Sequence, residues 1–299
     1  MKILLPVDGS RFSGAAVDFV ASRTTLIGAD PQVQLLNVQS PVPPRAARLI
    51  GKAAVTAYYE DESRKILKGP LATLKRAGIA ADADYLVGHP AEQIARRADD
   101  SAVDLVAMGS HGHGALATLL FGSVTLGVLA RTRRPLLLLR RHEPPPADSL
   151  AVGVAVDGSD YGVAAAKYVL KHLSLFGAQP RLTVLHVVPD FAPAAMPGLA
   201  GPTLPAYPAE QVVAVQQRAF DAAVQPVRRL FDAAGVPATA VCLTGLAGDQ
   251  IAAWATQQRL DLLVLGSHGY GALKAAVLGS VAQRIAAHCD TPLLLIREA

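Results

Sequence analysis

The chain has 299 residues, 51% of them hydrophobic and only 5% aromatic, which suits about two domains built on Ala/Val/Leu-rich cores. Its formal charge of +4 divides into 18 basic against 13 acidic residues over 1–146 and 10 against 11 over 147–299. No polybasic block stands out, so a nucleic-acid footprint is not supported. Arg131, Arg133, Arg134, Arg140 and Arg141 form the one basic concentration and read as a solvated helix end and strand exit. Cys242 and Cys289 are too few for a disulfide framework and lack metal-ligand spacing. Each reads as a small apolar packing residue in a reducing cytoplasm. The N-terminal apolar run is cut short by Pro6 and Asp8 and does not make a signal peptide. The uncharged stretch 191–209 carries Pro193, Pro197, Pro202, Pro205 and Pro208 and cannot form a spanning helix, so a soluble protein is expected.

Taken in order, residues 3–7 are a short apolar run closed by Asp8-Gly9-Ser10, a strand followed by a turn. Ala15, Ala16, Phe19 and Val20 then recur at helical spacing. A second strand covers 32–38. Prolines 41, 43 and 44 break the chain before a long helical region over 45–77, with an interruption expected near Gly51, and Gly78 ends it in the usual position after a helix. A third strand over 81–87 precedes Gly88, Pro90 and a helix to about residue 99. A fourth covers 103–108, and a fifth 135–140.

Glu143-Pro144-Pro145-Pro146 reads as a stiff linker, placing a first domain over 1–142, the linker over 143–148 and a second domain over 149–299. Beyond it the pattern returns. Residues 152–159 match 3–10 at an offset of 149; Gly245, Gly266, Gly279, Pro292 and Arg297 match Gly88, Gly109, Gly122, Pro135 and Arg140 at 157. The eight extra residues fall most naturally in the proline-rich loop 189–208, read as an insertion rather than a lid. Strands alternating with helices imply right-handed crossovers and a parallel sheet covered on both faces. A ligand on such a sheet sits outside the carboxyl ends of the strands, where the strand order reverses. The first and fourth strands, each ending in a distinctive loop, are expected to be neighbours there.

The fourth strand of each repeat runs into the same kind of segment, GSHGHGALATLLFGSVT from Gly109 and GSHGYGALKAAVLGSVAQ from Gly266. Strand, glycine-rich loop and helix N-terminus together make a phosphate cradle: glycine lets the backbone approach an anion and the first free N–H groups of the helix point at it. Duplication also copies glycines that merely shape a turn, so the repeat argues for a shared fold more strongly than for a shared ligand.

These residues resemble the universal stress protein family. The resemblance rests on G-x-x-G-x9-G-[ST], met by Gly109/Gly112/Gly122/Ser123 and Gly266/Gly269/Gly279/Ser280, and on the Asp-Gly-Ser after strand one. It covers nearly the whole chain as a tandem pair. It implies two open parallel five-stranded α/β sheets of order 3-2-1-4-5 with helices on both faces. In members with the glycine motif it implies ATP, with any Mg²⁺ held mainly by the nucleotide's own phosphates. Carried over, Asp8 and Asp157 would face the adenine or ribose, Val38 and Val187 would line the adenine pocket, and Met108 and Leu265 would pack beneath it. The loop N–H groups with Ser123 or Ser280 would hold phosphates, and Val124 and Val281 would touch ribose or base.

Read from the residues alone, Asp8 and Asp157 serve equally as caps for the helix that follows, and Ser123 and Ser280 as plain N-caps. His111 and His268 more naturally brace the loop than reach a phosphate, and His113 has Tyr270 as its counterpart in the other repeat, against a shared catalytic histidine. No P-loop lysine and no metal-binding carboxylate pair appears in either glycine loop. The expectation is a nucleotide-binding regulatory protein of the stress response with little or no turnover, its two repeats packed as an intramolecular pair, with a further homodimer open. A slow ATP hydrolase and a scaffold that binds no nucleotide are the alternatives.

Overall fold

The computed structural model describes residues 1–27, 30–110, 121–140, 149–190, 208–266 and 278–297. The expected linker, the histidine pairs, Gly112, Gly269 and most of the proline-rich loop lie outside these residues.

The first half runs β1 (Lys2–Pro6), α1 (Arg11–Ala21), α2 (Thr24–Ile27), β2 (Gln32–Gln39), α3 (Pro44–Ile50), α4 (Lys52–Arg76), β3 (Ala81–Val87), α5 (Pro90–Asp100), β4 (Leu105–Gly109), α6 (Ser123–Arg131) and β5 (Leu136–Leu139). The second half repeats it as β6 (Ala151–Ala155), α7 (Asp160–Lys171), a 3₁₀ turn at Leu173–Leu175, β7 (Arg181–Val188), α8 (Ala209–Ala233), β8 (Ala238–Thr244), α9 (Ala247–Gln257), β9 (Leu262–Gly266), α10 (Ser280–His288) and β10 (Leu293–Ile296). The interruption expected in the long helix falls at Gly51, whose φ of 83° separates α3 from α4 in a conformation that costs glycine nothing.

Each half keeps the expected order 3-2-1-4-5, with every pairing inside a half parallel. The short strands are solidly apolar because helices cover both faces; β4, β5 and β10 are buried along their whole length. One face carries α1, α4, α7 and α8 over Ile3, Leu5, Val33, Leu35, Val152 and Val184. The other carries α5, α6, α9 and α10 over Leu4, Leu36, Val106, Met108, Leu263 and Leu265.

The two sets of five strands do not stay apart. β5 pairs antiparallel with β10, Leu137 opposite Leu294, and the whole forms one ten-stranded sheet ordered β3-β2-β1-β4-β5-β10-β9-β6-β7-β8. An all-leucine edge strand would otherwise leave a row of N–H and C=O groups open, and here each half covers the other's. The helical layer crosses the same seam: Thr25 donates its hydroxyl to the Ser174 carbonyl at 2.6 Å, and the Tyr168 hydroxyl on α7 donates to the Asp104 carbonyl at 3.0 Å. Burial pushes the Tyr168 phenol well above its ordinary range. Both hydrophobic clusters run through the seam, so the halves share their core.

Two packing expectations need correction. Cys289 is buried, but Cys242 is exposed, because β8 is an outermost strand of the sheet. Arg140 is not part of a solvated strand exit. It continues the alternation of Leu136 and Leu138 on β5, and its side chain is only 10% exposed.

Candidate functional site

The site begins with the turn after each central strand. Gly9 and Gly158 stand at φ 81° and 85°, a left-handed conformation that a β-carbon disfavours and that swings the chain from strand to helix. The aspartate before each glycine closes the turn. Asp8 Oδ1 accepts the Ser10 N–H at 2.9 Å, and Asp157 Oδ1 accepts the Ser159 N–H at 3.0 Å. The helix cap itself falls to Ser10, whose Oγ accepts the Ser13 N–H at 3.2 Å. In the second half the Ser159 hydroxyl instead donates to Asp157 Oδ1.

Beside each turn lies the end of the fourth strand of its half. Leu4 stands opposite Val106 and Pro6 opposite Leu36, a register that brings Asp8, Val38 and the Met108–Gly109 end of β4 to one rim. Chain direction diverges between β1 and β4, since β2 lies on one side and β5 on the other. This is the switch point at which such sheets bind ligands. Gly109 is required for the approach of α1 to that rim: a β-carbon there would lie 2.6 Å from the carbonyl carbon, carbonyl oxygen and Cβ of Phe12. The second half has the same register, with Gly153 opposite Leu263 and Ala155 opposite both Leu185 and Leu265.

The chain re-enters the rim at Phe121. Gly122 donates its N–H to the Ser110 carbonyl at 2.8 Å, and Ser110 in turn donates to the Leu139 carbonyl at 2.9 Å. The Thr125 hydroxyl reaches the Gly109 and Ser110 carbonyls, both at 3.2 Å. These bonds tie the start of α6 to the ends of β4 and β5. Gly122 and Gly279 are the N-cap residues, extended at φ −68° and −62°. Ser123 and Ser280 therefore occupy the first helical position rather than the cap, and both are exposed. Any residue adopts the torsions of Gly122, so backbone conformation does not explain a glycine there.

Val38, Met108 and Val124 all belong to the layer beneath α5 and α6; Val187, Leu265 and Val281 belong to its continuation beneath α9 and α10. Met108 and Leu265 are buried, while the four valines are half-buried. Each half thus sets a half-open apolar floor beside the N-terminus of a nine-residue helix. Neither α6 nor α10 has an acidic residue in its first turn, so the positive end of the helix dipole is not offset from within the helix. Gly112 and Gly269 lie outside the described residues.

Two features of the rim were not legible as site features in the sequence. Asn37 is buried and donates to the Val7 carbonyl at 2.8 Å, while its own oxygen accepts from Gln39 at 2.6 Å and Ser63 at 3.1 Å. His186 replaces it in the second half and holds the Val156 carbonyl through Nδ1 at 2.8 Å. The other feature is Arg140, whose guanidinium carbon lies 5.7 Å from the centre of the Phe121 ring. The only signal for it was the two-residue period of a strand, which puts Arg140 on the same face as Leu136 and Leu138.

A sequence profile described as the universal stress protein family matches residues 1–140 and again 151–297. A universal stress protein of Mycolicibacterium smegmatis is 27% identical over 317 aligned residues, covering 99% of this chain and 96% of that protein. Another from Synechocystis is 32% identical over 140 residues, 46% of this chain and 42% of its own length, so the match spans under half of that relative. Among solved structures, a universal stress protein from Archaeoglobus fulgidus shares the fold over 100% of this chain and 98% of its own, with a TM-score of 0.70 at 20% identity.

Proposed function

The chain belongs to the universal stress protein family, and on that premise we propose that it is a nucleotide-binding regulator with one adenine-nucleotide site in each half, acting by binding rather than by turnover. ATP is the ligand that suits the rim. The observation that carries this reading is the twofold occurrence of one arrangement: a half-open apolar floor beside a helix N-terminus with no acid in its first turn. The floor of Val38, Met108 and Val124, or Val187, Leu265 and Val281, has the chemistry for a base. The first N–H groups of α6 and α10 have the chemistry for phosphates. Asp8 and Asp157 already accept a turn N–H, yet a carboxylate has about four acceptor positions, which allows a ribose hydroxyl as well.

Residues 1–142 and 149–299 are the two binding units in this reading, paired about a local twofold axis. Residues that meet their own counterparts support that axis, as an isologous contact requires. Leu137 pairs with Leu294 at the repeat offset of 157, and Thr25 bonds Ser174 at 149. A cytoplasmic protein fits both the nucleotide and the two free cysteines.

Titration of Mg-ATP into the full-length chain tests the proposal. Two equivalents are expected, and nucleotide at 100 times its dissociation constant adds about 2.7 kcal/mol of stability. Gly122→Val, Gly279→Val and the double variant are expected to bind one, one and zero equivalents, because a side chain would stand where the phosphates approach the helix. Ser123→Ala should weaken the first site by only about 0.5–1.5 kcal/mol. Two equivalents retained by a folded double variant would reduce these glycines to turn formers. No binding and no melting shift at millimolar nucleotide would leave the scaffold reading in place.

A further inference from the structure

The sequence of β5 ends in an arginine that the fold then buries. Leu136, Leu138 and Arg140 point to the face covered by α6, and the arginine stands one residue beyond Leu139, whose carbonyl anchors Ser110. Ser110 in turn anchors Gly122, the N-cap of α6. The guanidinium thus lies at the mouth of the α6 N-terminus, against Phe121, the residue that leads into the helix. Its side chain is only 10% exposed. Among the described residues Nε and Nη1 are buried without a hydrogen-bond partner, an arrangement that wastes three of the five donors of an arginine. Nη2 has a long ion pair, 3.6 Å from Asp290 Oδ1, and that carboxylate is 80% exposed. Asp290 comes from the other half of the chain, just before β10.

A fixed cation with unfilled donors beside a positive helix terminus is the reverse of what a merely structural contact needs. A small anion with several acceptor oxygens would take the end-on fork of Nη1 and Nη2 together with the helix N–H groups. Arg140 would supply the positive charge that the glycine loop, without a lysine of the P-loop kind, does not provide. We propose that Arg140 is the cationic contact for the phosphate tail of the ligand in the first half, and that Asp290 of the second half competes with that ligand for the guanidinium. This rests on the nucleotide reading above. By the repeat offset Arg133 stands where Asp290 would have to be for Arg297, so the second half does not repeat this particular ion pair.

The test uses the full chain as wild type, Arg140→Gln and Asp290→Asn, titrated with ATP, adenosine and inorganic tripolyphosphate. In Arg140→Gln one of the two ATP equivalents should weaken on the order of tenfold, with tripolyphosphate weakened likewise and adenosine unchanged. In Asp290→Asn one ATP equivalent should tighten by roughly two- to fivefold, since a competing exposed carboxylate is gone. A folded Arg140→Gln chain that binds ATP as wild type overturns the proposal, as does equal loss of ATP and adenosine, which would make Arg140 a clamp on the seam. Should Arg140→Gln not fold, the surface change Asp290→Asn decides alone, and unchanged ATP affinity there sinks the idea. A wild-type chain that takes tripolyphosphate but not ATP would end the nucleotide reading while leaving Arg140 to stand on its tripolyphosphate loss. A wild-type chain that takes neither ends both.

Discussion

The two halves reach one backbone through different residues, and the trades occur where packing is tightest. On the central strand of the first half Leu4 is fully buried near Leu36, Val103 and Val106. Its counterpart Gly153 has no side chain, and two of the three neighbours have grown from valine to leucine in return: a β-carbon at Gly153 would lie 2.8 Å from Leu260, 2.9 Å from Leu263 and 3.0 Å from Leu185. The helices show the same exchange. Gly127 on α6 packs so closely on α5 that a β-carbon would stand 2.5 Å from the Ala91 Cβ. In the second half the glycine has moved to the other helix, as Gly248 on α9, with Arg284 on α10 at the same 2.5 Å. Each close approach requires one small partner, and either side can supply it. The fold thus fixes the need for one small residue at a close approach more tightly than the side that supplies it.

The comparison breaks most completely if the halves are separated. Expressed alone, residues 1–142 or 149–299 would expose β5 or β10 as an all-apolar edge, along with the buried faces of α1 or α7. The expected outcome is loss of the folded monomer, with each piece associating through the freed edge or aggregating. Sedimentation and urea unfolding of the separate halves and of their mixture would show it. Two monomeric pieces as stable as the intact chain would mean that the shared sheet contributes nothing.

The volume trade sharpens the comparison at smaller scale. Gly153→Leu should destabilise the chain by about 1–3 kcal/mol, because three leucine side chains already fill the space. Adding Leu260→Val and Leu263→Val rebuilds the composition of the first half and should recover most of that loss. The two valine changes without Gly153→Leu should cost on the order of 1 kcal/mol each through the cavity they leave. Urea midpoints of the three variants test this. If the triple variant is no more stable than Gly153→Leu alone, the two layers are not packed equivalently.

Much of this architecture could be read from the sequence because it is local or periodic. Asp8-Gly9-Ser10 announces its own turn, Gly51 its break, and the offsets of 149 and 157 align the strands without any contact being known. The parallel sheet within each half follows from the alternation of strands and helices, whereas its order 3-2-1-4-5 was named from family resemblance. What the sequence does not carry is partner choice across distance. The run of leucines at 136–139 shows a buried strand or an edge in need of cover, but not that Leu137 would face Leu294. For the same reason Arg140 looks like one of five surface arginines until the seam closes over it, and Cys242 looks apolar until β8 proves to be an outermost strand. The floor residues Val38, Met108 and Val124 were named from family resemblance, and they do lie in one apolar layer.

The smallest expected effect concerns one ring in the seam. Phe19 and Arg23 on the first half have Tyr168 and His172 as counterparts, the guanidinium of Arg23 lying 5.0 Å from the Phe19 ring centre and the rings of Tyr168 and His172 4.6 Å apart. Arg23 is charged at every working pH, but His172 is not. Burial holds its pKa below the ordinary 6.5, opposed by the Asp104 carboxylate and assisted by Lys171 and the N-terminal amine. A histidine with a depressed folded-state pKa binds fewer protons when folded than when unfolded. Its contribution is therefore fully present above about pH 6.5 and declines as pH falls below that value, until the folded form also protonates. The chain should lose stability from this source on acidification below pH 6.5, and the loss should be shallower in His172→Gln, which cannot titrate. Parallel urea titrations at pH 7.5, 6.0 and 5.0 on both chains isolate the difference. Identical slopes would mean that His172 titrates in the folded seam as it does in the unfolded chain, and that the second half tolerates a charge there as readily as the first half tolerates Arg23.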